Sequence, residues 1–134
     1  MANLLKLSEA TALGLHAMVI IGQQGAPISA APMAQTLCAS EAHVFKVLQQ
    51  LVRAGLLRSK RGPHGGYVLA RPATEIVLMD VYNVFEEPMR KDGCLFSESV
   101  CGNVNCVLGS LVEDVRMKVV EHFSTVTLEQ AARK

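Results

Sequence analysis

Cys94, Cys101 and Cys106 stand in one short segment punctuated by Gly, Ser and Asn, with six residues in the first gap and four in the second. Three thiolates on one loop are soft sulfur donors, suited to zinc, copper(I) or an iron–sulfur cluster. They leave a four-ligand site one donor short. Nothing near the N-terminus resembles a secretory signal, and no apolar run reaches the roughly 18 residues of a membrane span. The expectation is a cytoplasmic protein with no membrane partner. There, thiols stay reduced, and grouped cysteines bind metal or sense redox more often than they form structural disulfides. Cys38 stands apart from this group and is expected to pack in the interior, as free cysteines usually do.

The elements that would carry such a loop come from a chain of 134 residues, half of them hydrophobic and none of them Trp. That length suits one domain whose core is built from Leu, Val, Ile, Ala and Met. The formal charge of +1 is uneven along the chain. Residues 40–72 hold six Lys/Arg against one Glu, whereas residues 73–134 hold six against ten acidic residues. A basic middle third beside an acidic remainder suits a local polyanion-binding surface, although a solvated charged face alone would give the same pattern.

Ser8 can cap a first helix, in which Leu13, His16, Ala17, Ile20 and Ile21 recur at helical spacing. Ser29 opens a short second helix through about Leu37, and Cys38-Ala39 makes a turn. Ser40 caps a third helix with an apolar stripe of Val44, Val47, Leu48 and Leu51, ended by Gly55. Two short helices around a tight turn read as a helix-turn-helix. Leu56–Lys60 and Tyr67–Leu69 flank a Gly/Pro turn and predict a β-hairpin. Thr74 is expected to cap a fourth helix that Glu87-Pro88 stops. A last long helix shows Leu108, Leu111, Val112, Val115, Val119 and Phe123 as a stripe, read as a dimer seam, with an ordinary core helix as the alternative. Thr127 caps a short terminal helix.

A helix-turn-helix followed by a Gly-containing hairpin is a winged helix, so the fold expected is mainly α with a two-stranded β wing and a long C-terminal dimerisation helix. The second helix of such a motif enters the major groove, where base edges differ. Its outward face should include Ser40, Glu41, His43, Lys46, Gln49 and Gln50. Arg58, Lys60, Arg61 and His64 lie on the hairpin, where extended cations reach phosphates or a narrow minor groove. No nucleophile–base–orienter grouping appears, which argues against an enzyme.

Arg61-Gly62-Pro63-His64-Gly65-Gly66-Tyr67, preceded by Val47–Leu57, closely resembles the Rrf-type family of winged-helix regulators, with its IscR, NsrR and CymR branches. The cysteine loop and the long helix beyond it extend the resemblance over nearly the whole chain. It implies a homodimeric transcription factor on a roughly palindromic operator in double-stranded DNA. A 2Fe–2S or 4Fe–4S cluster on the loop would control DNA affinity in response to redox state, nitric oxide or iron–sulfur status. Residues 1–88 are then the DNA-binding winged helix, 89–106 the cluster-binding loop, and 107–134 the dimerisation helix and tail of one compact domain.

The chain also departs from the family pattern. The two cysteine gaps are unequal. In the IscR branch a His completes the site where this chain has Gly109. In the NsrR branch an Asp on the first helix does so, at a position matched here by Ala12. The register Leu7-Ser8…His16 resembles a redox regulator of the family in which a His on that helix is a ligand. His16 is therefore the candidate fourth ligand, with Glu9 behind it; the alternatives are a neutral His16 packed between helices, and a site completed by a small thiol, by water or by no fourth ligand. Two other functions stay open. One is a cluster-free regulator controlled through a partner protein or thiol oxidation; the other is a metal-handling or electron-transfer protein on the same scaffold.

Overall fold

Ser8 starts the first helix by accepting the Thr11 N–H on its hydroxyl at 3.2 Å, and α1 then runs Glu9–Gln23. The computed structural model describes residues 7–89, 94, 96, 98 and 106–133. Helix α1 is the centre of the fold. Leu13, Ala17, Met18 and Ile21 are buried along it, because helices on several sides and the sheet all pack against it. The single apolar stripe expected there is too narrow: Met18 and Thr11 are enclosed as well, while His16 faces outward.

Helix α2 spans Ala30–Leu37 and α3 spans Glu41–Arg53, joined by the turn through Cys38 and Ala39. Both helices end in the same hydrogen-bonding pattern. After α2, Cys38 N–H bonds Gln35 O and Ala39 N–H bonds Ala34 O; after α3, Gly55 N–H bonds Val52 O and Leu56 N–H bonds Leu51 O. These are Schellman motifs, which place one residue in the left-handed region. Gly55 takes it at φ +79 after α3, and Cys38 takes it at φ +52 after α2. Cys38 is exposed, contrary to the packing expected of it. The cap turns its side chain outward, and Met33 and Ala34 of α2 fill the interior instead.

Strands β1 (Leu57–Lys60) and β2 (Gly66–Leu69) pair antiparallel in the register Leu57↔Leu69 through Lys60↔Gly66. Ile28 adds a bridge to Tyr67 on the other side of β2. A single 3-10 turn, Ala73–Glu75, precedes helix α4 at Leu78–Phe85. The fourth helix expected from Thr74 thus begins later. Ile76 and Val77 stay extended because they pair with the far end of the chain: Leu78 N–H bonds Val126 O at 3.1 Å and Leu128 N–H bonds Ile76 O at 2.7 Å. Helix α5 runs Leu111–Thr125 and α6 runs Leu128–Ala131, the latter capped by Thr127 as expected. Among the described residues no helix is long and apolar enough to cross a membrane.

The α5 stripe divides between two surroundings. Val112 is buried inside the protomer, and Phe123 packs edge-on against Tyr82 of α4 with ring centroids 5.7 Å apart. Val112 therefore belongs to the protomer's own core rather than to an intersubunit seam. Leu111 and Met117, each 52% exposed, lie on the open side. On the same helix Arg116 clasps Glu113 through Nε at 2.8 Å and Nη2 at 2.6 Å. Those hydrogen bonds hold the Glu113 carboxyl below the usual carboxylate range.

One polar cluster ties α4 to α1. Glu86, the first residue beyond α4, accepts the Ser8 N–H at 2.7 Å and the Thr11 hydroxyl at 2.5 Å on the same Oε1. A carboxylate at a helix N-terminus satisfies unpaired amides and meets the positive end of the helix dipole. Burial, with the Glu86 charge as a lesser cause, raises the hydroxyl of Tyr82 above the ordinary phenol range. Thr11→Val keeps the shape and removes the donor, so it should destabilise the fold by about 1.5–3 kcal/mol, the range for a hydrogen bond to a charged group. Urea unfolding reads this directly; a variant as stable as the parent would show that the buried hydroxyl carries none of the joint.

Candidate nucleic-acid interface and cysteine segment

Helix α3 is amphipathic: Val44, Val47, Leu48 and Leu51 are buried against the protomer, leaving the opposite side to solvent. Its start is fixed by Ser40, whose hydroxyl accepts the His43 N–H at 3.1 Å. Ser40, Glu41, Lys46 and Gln50 are exposed, as the helical spacing implies. Two residues of that face are less free than expected. Gln49 is half-buried and donates its side-chain amide to the Tyr67 hydroxyl of β2 at 3.0 Å, which fastens α3 to the hairpin. His43 is half-buried, and its Nδ1 lies 3.9 Å from the Glu9 carboxylate at the start of α1. Glu9 thus stands beside α3.

Phe45 is a residue that sequence reasoning did not select. It is 49% exposed on α3, outside the buried stripe. The signal was present, since Val44, Val47, Leu48 and Leu51 already fill the i, i+3, i+4, i+7 positions and leave Phe45 no inward place.

The hairpin holds its cations outward. Arg58, Lys60, Arg61 and His64 are all exposed. Among the described residues none of Arg58, Lys60 and Arg61 has an acidic partner, whereas Arg71 lies 3.6 Å from Asp80. The tip depends on two glycines. A Cβ on Gly65 would collide with the Lys60 carbonyl, and one on Gly66 would lie 2.5 Å from the Ile28 carbonyl carbon. The Gly-Gly pair thus lets β2 run against both β1 and the Ile28 segment.

Of the three cysteines, Cys94 is half-buried and Cys106 exposed; Cys101 lies outside the described residues. Cys106 begins the turn into α5, where Gly109 N–H bonds Cys106 O at 3.0 Å and Gly109 takes φ +57. His16 is exposed rather than packed between helices, and its Nδ1 is bonded to Ala12 O at 2.7 Å. With the Nδ1 proton so engaged, Nε2 is the ring nitrogen left open, the arrangement metal-binding imidazoles commonly use. Among the described residues of one protomer no three His, Cys, Asp or Glu side chains gather closely enough to hold a metal ion.

A family profile described as Rrf2, iron-dependent transcriptional regulator, matches residues 7–134. The chain belongs to the Rrf2 family. CymR, the global cysteine regulator of B. subtilis, superposes with a TM-score of 0.78 at 31% identity over 96% of each chain. T. potens IscR superposes with a TM-score of 0.72 at 29% identity, over 95% of this chain and 85% of that one. Protein aau3 of Rhizobium meliloti (strain 1021) is 34% identical over 105 residues, 78% of this chain and 66% of its own length. The architecture is therefore the winged helix of an Rrf2-type DNA-binding transcriptional regulator, and the chain is not an enzyme.

Proposed function

We propose that this Rrf2-family chain is a homodimeric repressor whose operator affinity is set by an iron–sulfur cluster on the Cys94, Cys101 and Cys106 segment, acting in the cytoplasm. The observation that carries this reading is the three-cysteine segment in a chain of a family described as iron-dependent. The donor set fits: three soft thiolates suit iron and sulfide, and His16 offers an outward Nε2 as a fourth donor. Bound there, a 2Fe–2S or 4Fe–4S cluster supplies one-electron redox chemistry and sensitivity to oxidants or nitric oxide.

The chain's own residues account for the rest. Lys46 and Gln50 on α3, with Ser40 at its N-cap and His43 at its flank, face the major groove. Arg58, Lys60, Arg61 and His64 on the hairpin meet the phosphates and the adjacent minor groove. The route between the two sites runs through α1. Glu86 holds the start of α1 just before the cysteine segment begins, and Glu9, at that same helix start, lies 3.9 Å from His43 of α3. If α1 of the partner subunit supplies His16, the state of the cysteine segment also sets the spacing of two α3 helices. Those must match half-sites about one helical turn apart.

The test is anaerobic purification followed by iron, sulfide and absorbance measurements, with operator binding before and after oxidation. Stoichiometric iron and sulfide, visible bands lost in Cys94→Ser, Cys101→Ser and Cys106→Ser but kept in Cys38→Ser, and a change in DNA affinity on oxidation are expected. His16→Ala should shift the spectrum or potential more than it lowers iron content, since three sulfurs still hold the metal. A colourless protein that binds DNA equally well with and without the three cysteines would overturn the cluster reading and leave regulation by a partner protein.

A further inference from the structure

Resting on the DNA-binding reading of α3, we infer that Phe45 is a specificity-determining residue that selects thymine by packing its ring against the C5-methyl group in the major groove. Phe45 is the one large apolar side chain exposed on α3, 49% open to solvent, whereas Val44, Val47, Leu48 and Leu51 are enclosed. Its neighbours on the outward surface are polar or small: Glu41 and Ala42 one turn before, Lys46 beside it, Gln49 one turn after. An aromatic ring left in water on a helix otherwise dressed with hydrogen-bonding groups gains by burial only if its ligand presents apolar surface there. In the major groove the thymine methyl is the apolar feature of the base edges.

A second observation narrows the role. Gln49, one turn from Phe45 toward the C-terminus, would be the natural reader of adenine by a bidentate contact. Its side-chain amide N–H is already given to Tyr67 at 3.0 Å. That bond, at a half-buried side chain, turns the amide toward the hairpin and away from the pose a bidentate base contact needs. Discrimination along this edge of α3 falls to Phe45. The ring loses little on docking, because two χ angles hold it and α3 is anchored along its buried face by four core residues.

The experiment begins by selecting binding duplexes from a randomised pool with the full-length protein in its DNA-binding state. Each thymine of the selected duplex is then replaced in turn by deoxyuridine, which pairs identically and lacks the methyl. At one position per half-site the parent should lose about fourfold in affinity, the size expected for one buried methyl group. Phe45→Ala should bind the thymine and deoxyuridine duplexes equally, and Phe45→Leu should keep part of the preference. Thermal unfolding of both variants should match the parent, since the side chain is exposed. Deoxyuridine without effect at every thymine, or with the same penalty in Phe45→Ala, overturns the assignment. So does a Phe45→Ala variant that dissociates as a dimer while keeping its thymine preference, since the ring would then serve a protein contact. A parent that recovers no duplex removes the DNA reading of α3 itself, and Phe45's role with it. A cofactor result of either sign does not bear on this test.

Discussion

Gly66→Val should cost the protein its operator binding, more than tenfold in affinity, while leaving most of its helical content intact. Gly66 sits at φ +146, and any Cβ there would lie 2.5 Å, 2.6 Å and 2.9 Å from the carbonyl carbon, oxygen and nitrogen of Ile28. Those are backbone atoms, so neither side can give without breaking the bridge in which Tyr67 N–H bonds Ile28 O at 2.8 Å and Ile28 N–H bonds Tyr67 O at 3.3 Å. Left-handed strain for a β-branched residue plus the lost pair should total about 3 kcal/mol. The damage propagates because Tyr67 is also the acceptor for Gln49 of α3. Losing its seat would free the hairpin and its cations from the helix they must act beside. Arg61→Ala is the informative contrast, with an unchanged melting temperature and weaker DNA binding. Lys60→Ala should lower the salt slope of binding by about one unit. Gel-shift titrations across salt concentrations with parallel thermal melts separate these cases. A Gly66→Val protein with parental affinity would show that the hairpin plays no part in holding DNA.

Leu111→Glu is expected to convert a dimer into monomers. Leu111 and Met117 are each 52% exposed on the open side of α5, and Val107 just before the helix is 96% exposed. Large apolar groups left exposed on α5 and just before it suit burial against a second copy of the chain, and burying a carboxylate there without a partner costs several kcal/mol. Val112 gives the control, because it is buried within the protomer. Val112→Ala should lower unfolding stability by about 2 kcal/mol and leave the oligomeric state alone. Sedimentation equilibrium of both variants decides the matter. A Leu111→Glu protein that sediments as a tight dimer would take this side of α5 out of the interface.

Much of the helical framework was legible because local chemistry suffices for it. Ser8, Ser40 and Thr127 each cap the helix expected of them through their own hydroxyls. The α3 stripe is buried as its spacing implies, and the Gly-rich turn makes the hairpin. Short-range signals of this kind need no distant partner.

What sequence left undecided needed such a partner. The start of α4 moved to Leu78 because Ile76 and Val77 pair with residues fifty positions away, a contact no window reveals. Cys38 came out exposed because the αL cap, rather than the side chain's hydrophobicity, determines its direction. Glu9 was expected as a reserve ligand and Gln49 on the outward face of α3, and tertiary packing gave each a neighbour, His43 and Tyr67.

By itself, then, the sequence determined which helices form and where the basic residues of α3 and the hairpin lie, since each follows from neighbours within a few residues. Only the tertiary structure decided which outward side chains stay available. A hydrogen bond such as Gln49 to Tyr67, or the fastening of Glu86 to α1, exists only once distant elements meet, and such bonds take Gln49 out of the open face of α3 while Lys46, Gln50 and the ring of Phe45 stay exposed on it.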